Sequence, residues 1–363
     1  MVDGRNHLNL GRVYYIIGDA MIEIIKRLPS STHQRVKAVG LLSGGLDSTL
    51  AAKIIHAQGI EVHALYFSMP WGCCDKTKAM EVADHLGIKL VILQLDERYL
   101  EVIKNPQHGY GTAMNPCRDC RIHMFSRAQR YMESIGADFV FTGEVLGQRP
   151  MSQLRASMSI IERESHLEGR LLRPLCAQLM EPTIPEREGV VDRQKLLNIS
   201  GRSRREQMLL AQELGIKDYL PPAGGCLLTD QNFASRMKDT LKYGYRNFRE
   251  TISLKWGRHF RISKDFKAIL GRDEAENQSL KAFAHKDDLI LEFIDKQGPT
   301  LLLKGYNIDA NIIATAAGLL QRFSKYKDEA SLEVGYRSVQ DMDIVRSVPS
   351  RVLTEEEIER MRI

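Results

Sequence analysis

Through the first 230 residues, short apolar runs alternate with longer segments of helical spacing. The run VKAVGLLSG (36–44) has strand length and ends in Ser and Gly, and DSTLAAKIIHAQG (47–59) then places apolar residues at helical intervals and closes on glycine. The pattern predicts a strand, a turn and a helix. EVHALYFSM (61–69), KLVILQL (89–95) and DFVFTG (138–143) read as further buried strands, with KTKAMEVADHLGI (76–88) and RIHMFSRAQRYMESIGA (121–137) as helices. Such alternation predicts a parallel, Rossmann-like α/β sheet. After Asp230 the texture changes to a basic, Tyr-rich stretch (243–263), the strand-like runs KAILG, LILEFI and TLLLKG, and a helix. This predicts a smaller α+β domain. The expected organisation is an N-terminal helical extension (1–37), an α/β domain (38–235), a second domain (240–341) and a tail (342–363) ending in the short helix TEEEIERMRI.

In parallel sheets, ligands sit beyond the carboxyl ends of the strands. Residues 43–48, 68–74 and 143–149 are therefore expected around one crevice. Composition narrows the class further. Hydrophobic residues make up 43% of the chain and charged residues 27%, values ordinary for a globular protein. No stretch reaches the roughly 18 apolar residues of a membrane span. The N-terminus has acidic residues within its apolar part and no small-residue cleavage site, so the reading is cytoplasmic, with no membrane partner. Six cysteines, two of them spaced C-x-x-C, suit a reducing compartment in which thiols bind metal or do chemistry. The net charge of +5 is uneven. From Arg236 to Arg272, eleven Lys/Arg face Asp239, Glu250 and Asp265, an excess of +8 that can meet phosphates or form a solvated surface.

Between the first strand and helix lies Ser43-Gly44-Gly45-Leu46-Asp47-Ser48. Bare glycine backbone there lets N–H groups approach phosphate, and the helix N-terminus favours negative charge. The loop lacks the lysine of G-x-x-x-x-G-K-[ST]. SGGLDS resembles the SGGxDS signature of the PP-loop family, whose members split ATP between the α- and β-phosphates and leave AMP on a substrate oxygen. The resemblance implies that Ser43, Gly44, Gly45 and Ser48 contact pyrophosphate and that Asp47 sits near Mg2+. The competing reading is a Gly-rich turn with Asp47 capping the helix.

Asn115-Pro116-Cys117-Arg118-Asp119-Cys120 opens the 121–137 helix, and Cys226 lies in PPAGGCLLTD. Helix N-termini and neighbouring Arg lower a thiol's pKa, favouring thiolate as nucleophile or ligand. PCRDCRIHMF and Trp71-Gly72-Cys73-Cys74 are similar to segments of tRNA 2-thiouridylases, with the resemblance covering about 38–232. It implies that Cys117 and Cys226 form a sulfur-handling pair. With Cys120 added, the trio resembles iron-sulfur-dependent tRNA thiolation enzymes, in which three thiolates hold a 4Fe-4S cluster and leave one iron open. A structural zinc with His123 as fourth ligand is the alternative. Cys73 and Cys74 are either semi-buried or functional, and Cys176 reads as packing.

Gly143 and Arg149 belong to the loop after the 138–143 strand, whose polar groups can reach nucleotide or substrate and which aligns with the loop after the fourth strand of the same enzymes; Arg149 is the candidate phosphate contact, with a structural salt bridge as the alternative. Arg202, Arg204 and Arg205 stand beside Gly201 ahead of a helix and suit RNA phosphate or a substrate carboxylate. In the second domain, WGRHFRISKDFKAILGRDEAENQSL is similar to the NFACT-R domain of ribosome quality-control proteins. Gly271 to Asn277 carries that likeness, and Arg258, His259, Arg261 and Arg272 are its candidate RNA contacts. Together these features point to a tRNA sulfurtransferase using ATP and a sulfur donor, either sulfide or a persulfide carrier. The rival readings are a PP-loop ligase of a small molecule and a non-catalytic RNA-binding factor.

Overall fold

A computed structural model of the chain describes residues 13–17, 20–22, 36–72, 76–217, 219, 225–245, 247–341, 343 and 345–363. It divides into two compact units, Met1–Thr229 and Asp230–Ile363. The first is built on strands β1 (Val13–Ile17), β2 (Ala20–Ile22), β3 (Lys37–Leu41), β4 (Glu61–Ser68), β5 (Lys89–Gln94), β6 (Phe139–Thr142) and β7 (Leu171–Leu172). Among the described residues its sheet runs β2-β1-β5-β4-β3-β6-β7, parallel throughout except for the β1–β2 pair. The α/β expectation is met. β3 and β6 are neighbours, yet the chain visits β4 and β5 between them, so the order reverses at β3 and a crevice opens beyond its carboxyl end.

The helices of this unit are α1 (Leu46–His56), α2 (Lys76–Leu86), α3 (Glu97–Lys104), α4 (Cys117–Ser134), α5 (Arg155–Glu164), α6 (Ile184–Arg187) and α7 (Arg205–Glu213). Leu46, Leu50 and Ile55 of α1 are fully buried, each contributing roughly 1.5–3 kcal/mol of transfer free energy. That anchorage holds the preceding loop in place. The expected helical extension over 1–37 is corrected, because β1 and β2 lie within it. Val-Tyr-Tyr-Ile-Ile is β-branched and aromatic, which suits a strand, and β1 adds to the free edge of β5. The rest of that segment falls outside the described residues.

Glu61 and Lys89 meet across β4 and β5, with Lys89 Nζ donating to Glu61 Oε1 at 2.8 Å and His63 Nε2 at 2.9 Å from the same oxygen. The Lys89 bond, opposed by partial burial and aided by His63, holds the Glu61 carboxyl down to about 2, from 4.5. A depressed carboxyl contributes stability above its unfolded pKa and loses it as pH falls through the folded one. Glu61→Gln is therefore expected to flatten the fall of Tm between about pH 4.5 and 2. An acid limb identical to the parent's would reject this role.

The second unit begins earlier than the expected boundary. Asp230 caps α8 (Gln231–Tyr243) by accepting from Phe233 N at 2.8 Å. Strands β8 (Arg258–Ser263), β9 (Phe266–Leu270), β10 (Leu289–Phe293), β11 (Leu301–Lys304), β12 (Glu333–Ser338) and β13 (Arg346–Pro349) form a sheet of order β13-β12-β10-β11-β9-β8, antiparallel at every pair. Its helices are α9 (Glu274–Phe283), α10 (Ala310–Arg322) and α11 (Glu355–Met361). The expected tail is part of this fold: β13 is an edge strand, and Ile358 and Met361 of α11 enter the core around Phe260, Leu291 and Leu319.

Candidate active site

The SGGLDS loop turns at Gly44, whose φ of +77° a side chain rarely adopts; a Cβ there would stand 2.7 Å from Ala79 N. Gly45 caps α1 with extended backbone and no side chain. The loop is tied internally: Ser48 Oγ accepts from Ser43 N at 3.2 Å, lies 3.1 Å from Ser43 Oγ, and donates to Gly45 O at 2.9 Å. Ser43 and Ser48 thus brace a turn at a helix N-terminus, where partial positive charge gathers. Gly143 seals the base, since a Cβ there would fall 2.5 Å from Asp47 C and Ser48 N.

Asp47 does not cap the helix. Its Oδ2 accepts from Gln148 Nε2 at 3.0 Å, its Oδ1 lies 3.8 Å from Arg204 Nη2, and that Oδ1 is buried without a hydrogen-bond partner. Gln148 Oε1 and Arg204 Nε are buried and unpartnered as well. Buried polar atoms are normally satisfied, so unpartnered atoms on three touching side chains mark a place built for a ligand. An unsatisfied carboxylate oxygen beside a phosphate-type turn fits a divalent cation. The 200–204 segment reaches this point because Gly201 N donates to Leu146 O at 2.7 Å. Arg204, expected at RNA phosphate, lies with Asp47, whereas Arg202 and Arg205 are exposed. Arg149 is exposed too and has no side-chain partner among the described residues. Sequence reasoning missed Gln148, one position from Arg149, because nothing local distinguishes the two.

Below this loop, Glu144 is 3% exposed and Arg173 2%. Arg173 Nε donates to Glu144 Oε2 at 3.2 Å and its Nη1 to Glu162 Oε2 at 2.9 Å. Cys176 is fully buried, with Sγ 3.5 Å from Glu144 O. It is packing, as expected.

Cys117 is the first residue of α4, and Asn115 Nδ2 donates to its sulfur at 3.3 Å. Asp119 is buried and accepts from Gln107 N at 2.8 Å and His108 N at 3.2 Å, which folds the preceding loop over the helix start. Cys120 Sγ accepts from the Tyr99 hydroxyl of α3 at 2.9 Å. The distant Cys226 arrives through backbone: Leu227 N donates to Trp71 O at 3.5 Å and Met114 N to Leu228 O at 3.1 Å. Burial pushes the Tyr99 hydroxyl well up, and the Cys120, Cys226 and Cys117 thiols push it further. Trp71 stacks on Tyr99 at 6.0 Å between centroids, and His123 lies 5.5 Å from Tyr99 on another side.

Two expectations change here. Burial pushes the Cys120 thiol up, outweighing the lowering by Tyr99 and Arg121, so its helix position does not favour thiolate. Moreover, no three His, Cys, Asp or Glu side chains among the described residues are grouped closely enough to hold a metal ion. Cys226 Sγ instead lies 3.8 Å from Trp71 O. Thiolate donors as a class suit an iron–sulfur cluster and zinc alike. Cys73 and Cys74 lie outside the described residues.

In the second unit, the candidate RNA contacts fare unequally. His259 is 2% exposed, with Nε2 2.8 Å from Trp256 O, and is corrected to a core residue. Arg261 is committed to Asp239 through Nε–Oδ1 at 3.0 Å and Nη2–Oδ2 at 2.6 Å, and lies over the Tyr243 ring. Arg272 pairs with Glu276, which also accepts from Gly257 N at 3.2 Å. Asn277 Oδ1 accepts from Thr300 N at 3.0 Å. The Gly271–Asn277 segment therefore ties neighbouring loops together. Arg258 lies over the Phe323 ring at 5.3 Å.

Residues 33–182 match the family described as thiamine biosynthesis protein (ThiI), and residues 257–362 match the NFACT protein RNA binding domain. Over 113 residues the chain is 34% identical to the tRNA-specific 2-thiouridylase MnmA of Sulfurimonas denitrificans, covering 29% of this chain and 33% of that protein. Over 137 residues it is 33% identical to MnmA of Marinobacter nauticus, covering 34% of each. The chain thus spans about a third of the length of these relatives. Among solved structures, a 4-thiouridine synthetase–RNA complex with bound ATP is 20% identical, covers 60% of this chain and 52% of that one, and has a TM-score of 0.39. The U34-tRNA thiolase NcsA of Methanococcus maripaludis, with its 4Fe-4S cluster, is 18% identical, covers 58% and 67%, and has a TM-score of 0.31. The SGGLDS turn at the head of the parallel sheet thus lies within the part of the chain that matches the ThiI family, and the antiparallel second unit carries the match to the NFACT RNA binding domain.

Proposed function

We propose that the chain is a tRNA sulfurtransferase that activates a uridine carbonyl with ATP and exchanges its oxygen for sulfur. The carbonyl oxygen attacks the α-phosphorus, pyrophosphate leaves, a sulfur nucleophile adds at the carbon, and AMP departs with the original oxygen. The Gly44–Gly45 turn and the start of α1 receive the pyrophosphate. Asp47, steadied by Gln148, presents Oδ1 to Mg2+, and Arg204 and Arg149 meet phosphate charge. Cys117, Cys120 and Cys226 would hold a 4Fe-4S cluster, which when bound supplies an iron open to sulfide.

The observation that carries this reading is the docking of the Cys226 segment onto Met114 and Trp71, which brings a thiol about a hundred residues away to the Cys117–Cys120 helix start. A fold needing only ATP chemistry has no use for three such thiols. The test is anaerobic incubation of protein, unmodified tRNA, ATP and sulfide, followed by nucleoside mass spectrometry. Thiouridine formed with equimolar pyrophosphate is expected. Pyrophosphate release without any thiolated nucleoside overturns the reading in favour of a small-molecule ligase.

A further inference from the structure

A cleft of about 490 Å3 opens in the second unit, between the end of α8, the β8–β9 turn and the end of β11. Its size falls within the roughly 300–1,000 Å3 of small-ligand pockets. Four of its sixteen lining residues are aromatic, namely Tyr243, Tyr245, Phe266 and Tyr306, against 7% in the whole chain. Tyr306 is 59% exposed and Tyr243 41%, so both rings stand at the mouth. Tyr243 is already backed by Arg261, whose Cζ lies 4.7 Å from the ring centroid.

The lining carries four cations, Arg261, Lys264, Lys267 and Lys304, against Glu250 and Asp265. Most of that charge is balanced in place. Arg261 and Lys267 share Asp239, while Lys304 meets Glu250 at 3.1 Å and Asp288 at 3.3 Å. Lys264 is exposed and has no acidic partner among the described residues. A duplex is gripped by ranks of free cations along its phosphates, and here two of the best-placed arginines, Arg261 and Arg272, are held in ion pairs. Exposed rings with one free cation at the rim suit an unpaired base and its phosphate.

We propose that this cleft takes one unpaired ribonucleotide of an RNA strand, with its base against Tyr306 and Tyr243 and its phosphate on Lys264. The inference rests on the reading of the second unit as RNA-binding. The ion pairs beneath hold the rings in position, and recognition is by stacking rather than by base edges, so any unpaired base is accepted. The full chain is titrated with a fluorescein-labelled single-stranded oligouridylate and with a duplex RNA. Tyr306→Ala is expected to weaken the single strand about tenfold, and Tyr306→Phe to bind like the parent. Lys264→Glu is expected to lower the salt slope by about 0.7. Duplex affinity should not move in any of the three. On the parent protein, an oligonucleotide bearing 5-iodouridine should crosslink to peptides containing Tyr243, Tyr245 or Tyr306. Crosslinks confined to other segments overturn the site, as does a Tyr306→Ala variant with parental affinity. In those cases tRNA still binds, whereas a parent protein that binds neither tRNA nor oligouridylate overturns the RNA reading itself.

Discussion

Asp47→Ala is expected to lower pyrophosphate release from ATP by about 10²–10³-fold, the range for removing one group that stabilises transition-state charge. Asp47 sits in the first turn of α1 but caps nothing, and one carboxylate oxygen is already used by Gln148 while the other is buried and unsatisfied. A buried carboxylate oxygen without a hydrogen bond, with Arg204 Nη2 no nearer than 3.8 Å, costs stability unless a closer cation completes it. The side chain is therefore there for binding, and its loss should leave Tm unchanged or slightly raised. Asp47→Asn keeps the size and the bond from Gln148 yet loses the charge, so it should be nearly as impaired as the alanine variant. Pyrophosphate release and thermal melting on the same samples separate the effects. A variant that cleaves ATP at the parental rate removes Asp47 from the nucleotide site.

The second large effect concerns sulfur. Cys117→Ala, Cys120→Ala and Cys226→Ala are each expected to abolish thiouridine formation while retaining pyrophosphate release, because the thiols are held by α4, Tyr99 and the Trp71 backbone rather than by the SGGLDS turn. Protein prepared without oxygen should be brown, with broad absorbance near roughly 400 nm from thiolate-bound iron, and each of the three variants should lose that colour. Cys176→Ala should keep both colour and activity, since its sulfur is buried against Glu144 O. Iron and zinc are counted in the same preparations. Colourless protein with one zinc per chain would establish the zinc alternative in place of a cluster.

Much of the fold is legible locally. The β3–α1 unit announces itself because a strand-length apolar run, two glycines and a helically spaced segment leave the backbone few alternatives, and the first of those glycines turns out to be required by the positive φ at Gly44. Val13–Ile17 was expected within a helical extension, and its place as a strand is decided by the free side of β5, which the local sequence does not show. Residue type alone marked Asp47, Cys117 and Cys226 as chemically apt. It could not distinguish a free cation from one spent on an ion pair, so Arg204, Arg261 and Arg272 looked alike in sequence. One lies with Asp47, one is locked on Asp239 and one on Glu276. Periodicity and propensity report on neighbours a few residues apart, and they determined most of the elements, the SGGLDS turn and the chemical identity of the candidate groups. The meeting of Gln148 with Asp47, of Tyr99 with Cys120 and of Cys226 with the start of α4 spans about 20 to 110 positions. Such pairs are set by how the strands are ordered and where the loops dock, so only the tertiary structure decided them.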